Sequence, residues 1–231
     1  MLFKSNMVTQ ASGSIGGLTA SRNRGGMYFR ARSVPTNPNT IYQQAVRNIF
    51  ATLSAGWSVL DEEDRDRWSV FATNTPVINA LGDQIYLTGQ QMYIRNNAAR
   101  LQAGLSTISA GPIIFGSSTI TPTPAVAPEL GTQTLGFAID DEDEWASTDG
   151  GALLVYMSRP QPVARAFFKG PYRYAGKVLG VTLTPPATSQ TVPVPFAISE
   201  GQVVFTRFIG VTADGRLTQE LFYGPSLATN A

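Results

Sequence analysis

Histidine and cysteine are both absent from this 231-residue chain. Without cysteine there is no disulfide, no zinc-thiolate site and no thiol nucleophile. Without histidine the chain lacks the side chain best suited to proton transfer near neutral pH, the commonest transition-metal ligand and the base of a Ser-His-Asp triad. Lysine is scarce as well, occurring only at Lys4, Lys169 and Lys177, none of them in a Ser-x-x-Lys pattern. No apolar run approaches the roughly 20 residues of a spanning helix, and the N-terminus has no signal-peptide core. These absences argue against an enzyme, against a resident cofactor or metal and against a membrane protein. They lead to the expectation of a soluble protein made in a cytoplasm.

Acidic residues are missing from the first 50 positions, which carry six basic side chains: Lys4, Arg22, Arg24, Arg30, Arg32 and Arg47. Paired glycines at Gly16-Gly17 and Gly25-Gly26 and many small polar residues leave this stretch little contiguous apolar surface to offset the entropy of ordering. Residues 1–38 are therefore read as an extended basic arm that orders on a partner. Arg22, Arg24, Arg30 and Arg32 interleave with Tyr28 and Phe29, the alternation used by single-strand binders. The same six residues suit an acidic protein surface, because a guanidinium pairs bidentately with carboxylates and packs flat on rings. Net charge is only +1, with ten Lys/Arg against six Asp/Glu in the first 110 residues and seven against ten in the rest. That modest asymmetry favours a protein partner, another copy of this chain included, over nucleic acid.

The remaining residues divide at about position 108. Residues 39–108 read as a helical segment. Thr40-x-x-Gln43 has the spacing of a capping box, and Tyr42, Ala45, Ile49, Phe50, Leu53, Trp57 and Leu60 follow as one apolar stripe. Asp61-Glu62-Glu63-Asp64 suits a second helix start, and Trp68 of that helix is expected to share a core with Trp57. Thr88-x-x-Gln91 starts a third helix, stopped by Gly104. Residues 109–231 carry short β-rich runs between glycine, proline and acidic turns: Pro112–Phe115, Leu135–Ile139, Ala152–Ser158, Ala164–Phe168, Lys177–Leu183, Val192–Ile198, Gln202–Thr212 and Leu217–Tyr223. That texture predicts an antiparallel β-sandwich, so the fold class is α+β: an extended arm, a short helical segment and a C-terminal sandwich of immunoglobulin or fibronectin type. Asp214-Gly215 is read as a two-residue hairpin turn. The strand before it is apolar on both sides. Val203, Phe205, Ile209 and Val211 are assigned to the sandwich core, and Val204 and Phe208 to a face meeting the helices or another subunit.

Chemical motifs are few. Asp140-Asp141-Glu142-Asp143-Glu144, with Asp149 behind it, has oxygen ligands for calcium but lacks the glycine and terminal glutamate of an EF-hand, and a solvated loop is the favoured reading. Ser12-Gly13-Ser14-Ile15-Gly16-Gly17 is glycine-rich, yet no Gly-Lys-Ser/Thr follows to make a phosphate cradle.

Gly13-Ser14-Ile15-Gly16-Gly17, then Arg30-Ala31-Arg32, then Asn37-Pro38-Asn39-Thr40-x-x-Gln43-x-x-x-Arg47-x-x-Phe50 form a series of motifs along the first 50 residues. In that series the sequence resembles a family of uncharacterised structural proteins of tailed bacteriophages and prophages. Trp57, Arg67-Trp68 and the 89–96 stretch continue the series, and the first hundred residues match most specifically. The resemblance implies a virion component, either a head decoration or cement protein or a tail or neck protein. Its partners would be capsid or tail subunits, in a homo-oligomer for which a trimer is the preferred closed ring. The alternative is a module that binds carbohydrate or a host surface and is attached to the particle by its arm, for which Trp145, Tyr172 and Tyr174 are the candidate exposed aromatics.

Overall fold

The computed structural model describes residues 2–3, 7, 11–32, 37–79, 81–121 and 126–229. Lys4 and Pro35 of the arm lie outside the described residues. Among the described residues the fold is α+β, with three helices and only antiparallel strand ladders between named strands. It separates into two compact units, one formed by residues 1–95 and 109–116, the other by 96–108 and 117–231.

The first unit opens with a sheet where an extended arm is predicted. Strands β1 (Leu2–Phe3), β2 (Gly13–Ile15), β3 (Leu18–Asn23) and β4 (Gly26–Ala31) pair in the order β1-β4-β3-β2. Two glycine turns make this possible. Gly16, at φ +56°, closes the β2–β3 hairpin, and Gly26, at φ +114°, follows the β3–β4 turn, both in the region that favours glycine. Glycines that read as a sign of disorder are thus the corners of a meander.

Helix α1 (Ile41–Val59) begins as the sequence predicts, with Thr40 and Gln43 capping each other reciprocally. Arg47 reaches back to donate to Asn37 Oδ1 at 2.6 Å and Asn39 Oδ1 at 3.5 Å, and Gln44 Nε2 donates to the Asn39 carbonyl. The Asn-Pro-Asn-Thr-x-x-Gln-x-x-x-Arg motif is therefore a helix-start lock. Helix α2 (Glu62–Asn74) has Glu62, Glu63 and Asp64 in its first turn, where acidic groups favour the positive end of the helix dipole. A short hairpin, β5 (Val77–Ile78) with β6 (Gln84–Ile85), leads to α3 (Gly89–Gln102), which starts with the Thr88–Gln91 capping box.

Tyr93 of α3 joins the two tryptophans, at ring-centroid distances of 5.5 Å from Trp57 and 5.5 Å from Trp68. Leu53, Phe71 and Met92 are buried in the same unit. Residues 112–115 form no strand. Instead the chain passes over α2, where the Ser109 carbonyl accepts from Trp68 Nε1 at 2.7 Å. A Cβ on Gly111 would come within 2.7 Å of the Trp68 nitrogen and 2.8 Å of the Arg67 carbonyl carbon. Gly111→Ala should therefore cost about 1–3 kcal/mol, the range for overpacking, read as a lowered denaturant midpoint at unchanged slope.

The second unit contains two sheets. One is formed by β10 (Gln161–Pro162), β13 (Gln202–Val211), β9 (Ala152–Met157) and β11 (Arg173–Leu179), with β14 (Leu221–Leu227) also on β13; the other is β12 (Ser189–Pro193), β8 (Thr134–Ala138) and β7 (Val126–Glu129). Leu135, Phe137 and Val192 of the smaller sheet share one buried cluster with Leu153, Val155, Met157, Val204 and Phe208 of the larger. Ala152, Leu154, Tyr156 and Val211, on the opposite face of the larger sheet, pack with Ala103 and Ala99 at the end of α3. Both faces of β9 and β13 are consequently covered within the chain. Residues 164–168, predicted as a strand, are turn and coil.

The hairpin after β13 uses a longer turn than predicted. The Thr212 carbonyl accepts from Gly215 N, and Thr212 N donates to the Arg216 carbonyl, with Gly215 at φ +89°. That is a turn closed by a left-handed glycine bulge, and Asp214 braces it by accepting from Arg216 N at 3.2 Å and Nε at 2.6 Å.

Helix α3 ends at Gly104, φ +75°, where Leu105 N reaches back to the Arg100 carbonyl and Gly104 N to that of Leu101. Three of its polar residues, Asn96, Asn97 and Arg100, are buried along with Met92 and Tyr93. Asn97 exchanges two hydrogen bonds with the Ile108 backbone, at 3.1 and 2.7 Å. Arg100, only 5% exposed, donates to the carbonyls of Ser106, Gly150, Thr212 and Ala213. Burial lowers its pKa, and the Asp214 charge opposes that shift.

Candidate functional site

The six arm residues do not form one patch. Cross-strand partners share a sheet face, so the register Arg22↔Met27, Ala20↔Phe29, Ser21↔Tyr28 and Thr19↔Arg30 puts Arg22 and Phe29 on one side and Tyr28 and Arg30 on the other. Arg24 sits in the β3–β4 turn, and Arg32 lies just past β4, its backbone N donating to the Gly17 carbonyl at 2.8 Å. All four arginines are exposed and make no ion pair with any described residue. No residue of β2, β3 or β4 is buried, and Ile15 is 88% exposed. Nothing in the sequence could have shown this division, because it follows from where the turns fall.

The tip of this sheet meets the β5–β6 hairpin, where Asn79 Nδ2 donates to the Gly25 carbonyl at 3.3 Å. Beside it Arg24, Tyr28, Asn79, Leu87 and Gln91 line a cleft of about 380 Å³. Further along the same unit, the first half of α1 leaves Ile41, Tyr42, Val46 and Phe50 at least half exposed. The predicted apolar stripe of α1 is thus covered only towards its C-terminal end, around Leu53 and Trp57.

In the second unit the assignment of β13 is reversed. Val204 is 0% and Phe208 5% exposed, both in the cluster between the two sheets, with Phe208 at 5.3 Å from Phe137. They are core residues of this chain and cannot also form a face for another subunit. Phe205 lies on the other side, stacked on Phe168 at 5.7 Å, as the alternation of the strand requires.

Trp145, proposed from sequence as an exposed aromatic, is fully buried. Its Nε1 donates to Asp143 Oδ2 at 3.0 Å, and Asp143 also accepts from the Thr121 backbone N and hydroxyl. Glu144 takes an ion pair from Arg216 and a hydrogen bond from Ser118, and Asp149 accepts from Thr182 N. The loop favoured as solvated is exposed at Asp141, Glu142 and Glu144, while Asp143, 8% exposed, and Glu144 also brace the fold. Among the described residues no three His, Cys, Asp or Glu side chains are grouped to hold a metal ion, and no helix is long and apolar enough to cross a membrane.

Tyr172, in contrast, lines an open cleft of about 340 Å³ with Phe167, Phe168, Lys169, Phe205, Phe222 and Tyr223. Tyr172 meets Phe168 edge-on at 5.3 Å and Phe222 at 5.9 Å, and its hydroxyl donates to the Phe168 carbonyl at 3.0 Å. Arg165 lies over Phe168 at 5.5 Å and Arg207 over Tyr172 at 5.8 Å. Burial raises the Tyr172 pKa, with Arg207 pulling it back. Tyr174 packs instead on Tyr156, at 5.7 Å. The signal for this cleft was in the sequence, in Phe167-Phe168 and Phe222-Tyr223, but their convergence depends on the pairing of β14.

No family model matches the chain, and no curated protein or solved structure matches it either.

Proposed function

We propose that this protein is a structural component of a bacteriophage particle, as a head decoration or cement protein or as a tail or neck protein, and that it works through contacts between subunits. The observation that carries the assembly reading is the N-terminal sheet, whose β2, β3 and β4 contain no buried residue while exposing Arg22, Arg24, Arg30 and Arg32. A few strands without a packed face are marginal in water, so this sheet gains its stability by being covered. Its charge suits an acidic partner surface. The exposed apolar start of α1 offers partners a second uncovered surface. The virion assignment draws on the resemblance carried by the 13–17 and 37–50 motifs. In this reading the two sheets of the second unit act as an immunoglobulin- or fibronectin-like sandwich body, and the oligomer is a closed ring, preferably a trimer.

Deleting residues 1–38 is expected to leave a folded chain with near-native circular dichroism that no longer assembles. Light scattering after size-exclusion chromatography reads the oligomer, and particle incorporation reads the contact with other virion proteins. Changing all four arginines to glutamine should weaken assembly and flatten its salt dependence. Normal assembly of the truncated chain would overturn the proposal. Tight binding of residues 11–32 to single-stranded DNA at physiological salt would replace it with a nucleic-acid role.

A further inference from the structure

The aromatic cleft of the second unit is built differently from the N-terminal sheet and has no part in the assembly reading. Its floor is the parallel stack of Phe168 on Phe205, with ring planes 19° apart, and Phe205 is only 5% exposed. Its mouth is wide, since Phe167 is 73% and Phe222 56% exposed. Leaving two phenylalanines in water beside an apolar floor is costly unless something covers them. Lys169 lines the cleft and forms no ion pair or hydrogen bond among the described residues, and Arg165 stands over the Phe168 ring without a carboxylate partner. No acidic residue lines the cleft.

We propose that this cleft receives an aromatic side chain, flanked by carboxylates, from a partner polypeptide. The ring of such a segment would enter among Phe168, Tyr172 and Phe222, where edge-on and offset ring contacts are favourable. Its carboxylates would meet Lys169 and Arg165, the latter already donating to the Phe167 carbonyl and Gln161 Oε1 but to no carboxylate. Charge complementarity argues for the acidic flanks, because a neutral ligand would leave both cations unmatched. The wide mouth argues for a side chain presented by a chain. Small-molecule sites usually enclose most of their ligand, roughly 70–90% of its surface, which an opening rimmed by two exposed rings does not do. A sugar would need hydrogen-bond partners for its hydroxyls, and this floor is made of ring faces.

The test uses the full chain with its phenylalanine and tyrosine rings 13C-labelled, titrated with acetyl-Glu-Phe-Glu-amide and followed by NMR. Saturable shifts of Phe168, Tyr172 and Phe222 are expected. Acetyl-Gln-Phe-Gln-amide and acetyl-Glu-Ala-Glu-amide should each bind at least about fivefold more weakly. Phe222→Ala should abolish the shifts, and Lys169→Gln should remove most of the difference between the Glu and Gln peptides. Both residues are exposed, so spectra of rings away from the cleft should be unchanged and report an intact fold. Equal shifts with the Ala-centred peptide would reduce the site to a nonspecific charge effect. No shift at millimolar Glu-Phe-Glu peptide, or saturation of the same rings by glucuronic acid or maltose instead, would overturn the proposal.

Discussion

An Arg100→Leu variant should lose about 1–3 kcal/mol of stability, the cost typical of taking the donor away from buried hydrogen-bonding groups. Arg100 makes no ion pair; four backbone carbonyls from three separate loops satisfy its guanidinium. Removing the side chain leaves the Thr212 carbonyl buried without that donor and frees the loops at Gly150 and Ala213 from the end of α3. The Thr212 carbonyl keeps its bond from Gly215 N, so the loss comes from weakened bonding of several partly buried carbonyls together with the freed loops. Arg100→Lys should fall between wild type and leucine, because an ammonium cannot span the same fork of acceptors. Denaturant unfolding gives the magnitude, and amide hydrogen exchange should show the loss of protection at Thr212 and Gly215 first. A change below about 1 kcal/mol would mean that water replaces the guanidinium at these carbonyls and that α3 is held by its apolar contacts alone.

The same residue marks where sequence reading stops. The starts of the three described helices and the end of α3 were legible: Thr40–Gln43 and Thr88–Gln91 are capping boxes, Glu62–Asp64 start α2, and Gly104 is the stop of α3. These signals are local, and local hydrogen bonds do not depend on what packs later. Arg100 and Asn97 gave no such signal. Periodicity places polar residues outward, whereas here Asn97 bonds inward to the Ile108 backbone and Arg100 reaches the distant Thr212 loop.

Strand faces show a related limit. The alternation of β13 is correctly legible, since a strand's side chains must alternate. Which face meets the other sheet is a matter of topology. Val204 and Phe208 turn towards β8 and its Phe137, and the longer apolar set of Val203, Ile209 and Val211 lies across the strand, where Val211 packs with Ala103. For the arm, the six residues were identified by charge and type alone. Their division between two faces, a turn and a strand end follows from hairpin corners at Gly16 and Gly26, which composition reads only as flexibility.

Phe208→Ala is expected to destabilise the second unit by about 3–5 kcal/mol, the usual range for a buried phenylalanine. Phe208 is 5% exposed, tilted against Phe137 at 5.3 Å, and surrounded by Leu153, Val155 and Leu135 of the core between the sheets. Its neighbours are themselves held in two facing sheets and can fill the space only in part, so the cavity term adds to the lost transfer energy. Phe205→Ala should cost less, because one wall of its environment is the open cleft and Phe168 can shift into the gap. Phe222→Ala, at a residue 56% exposed, should stay within about 0.5 kcal/mol. The ordering Phe208 > Phe205 > Phe222 is the critical result. A core residue loses the same stability at every protein concentration, whereas a residue at a contact between copies loses more as the protein is concentrated. Denaturant midpoints measured across a hundredfold range of concentration therefore separate the two. A Phe208→Ala loss that grew with concentration, or that vanished in the dilute monomer, would return this side of β13 to an interface and remove it from the core.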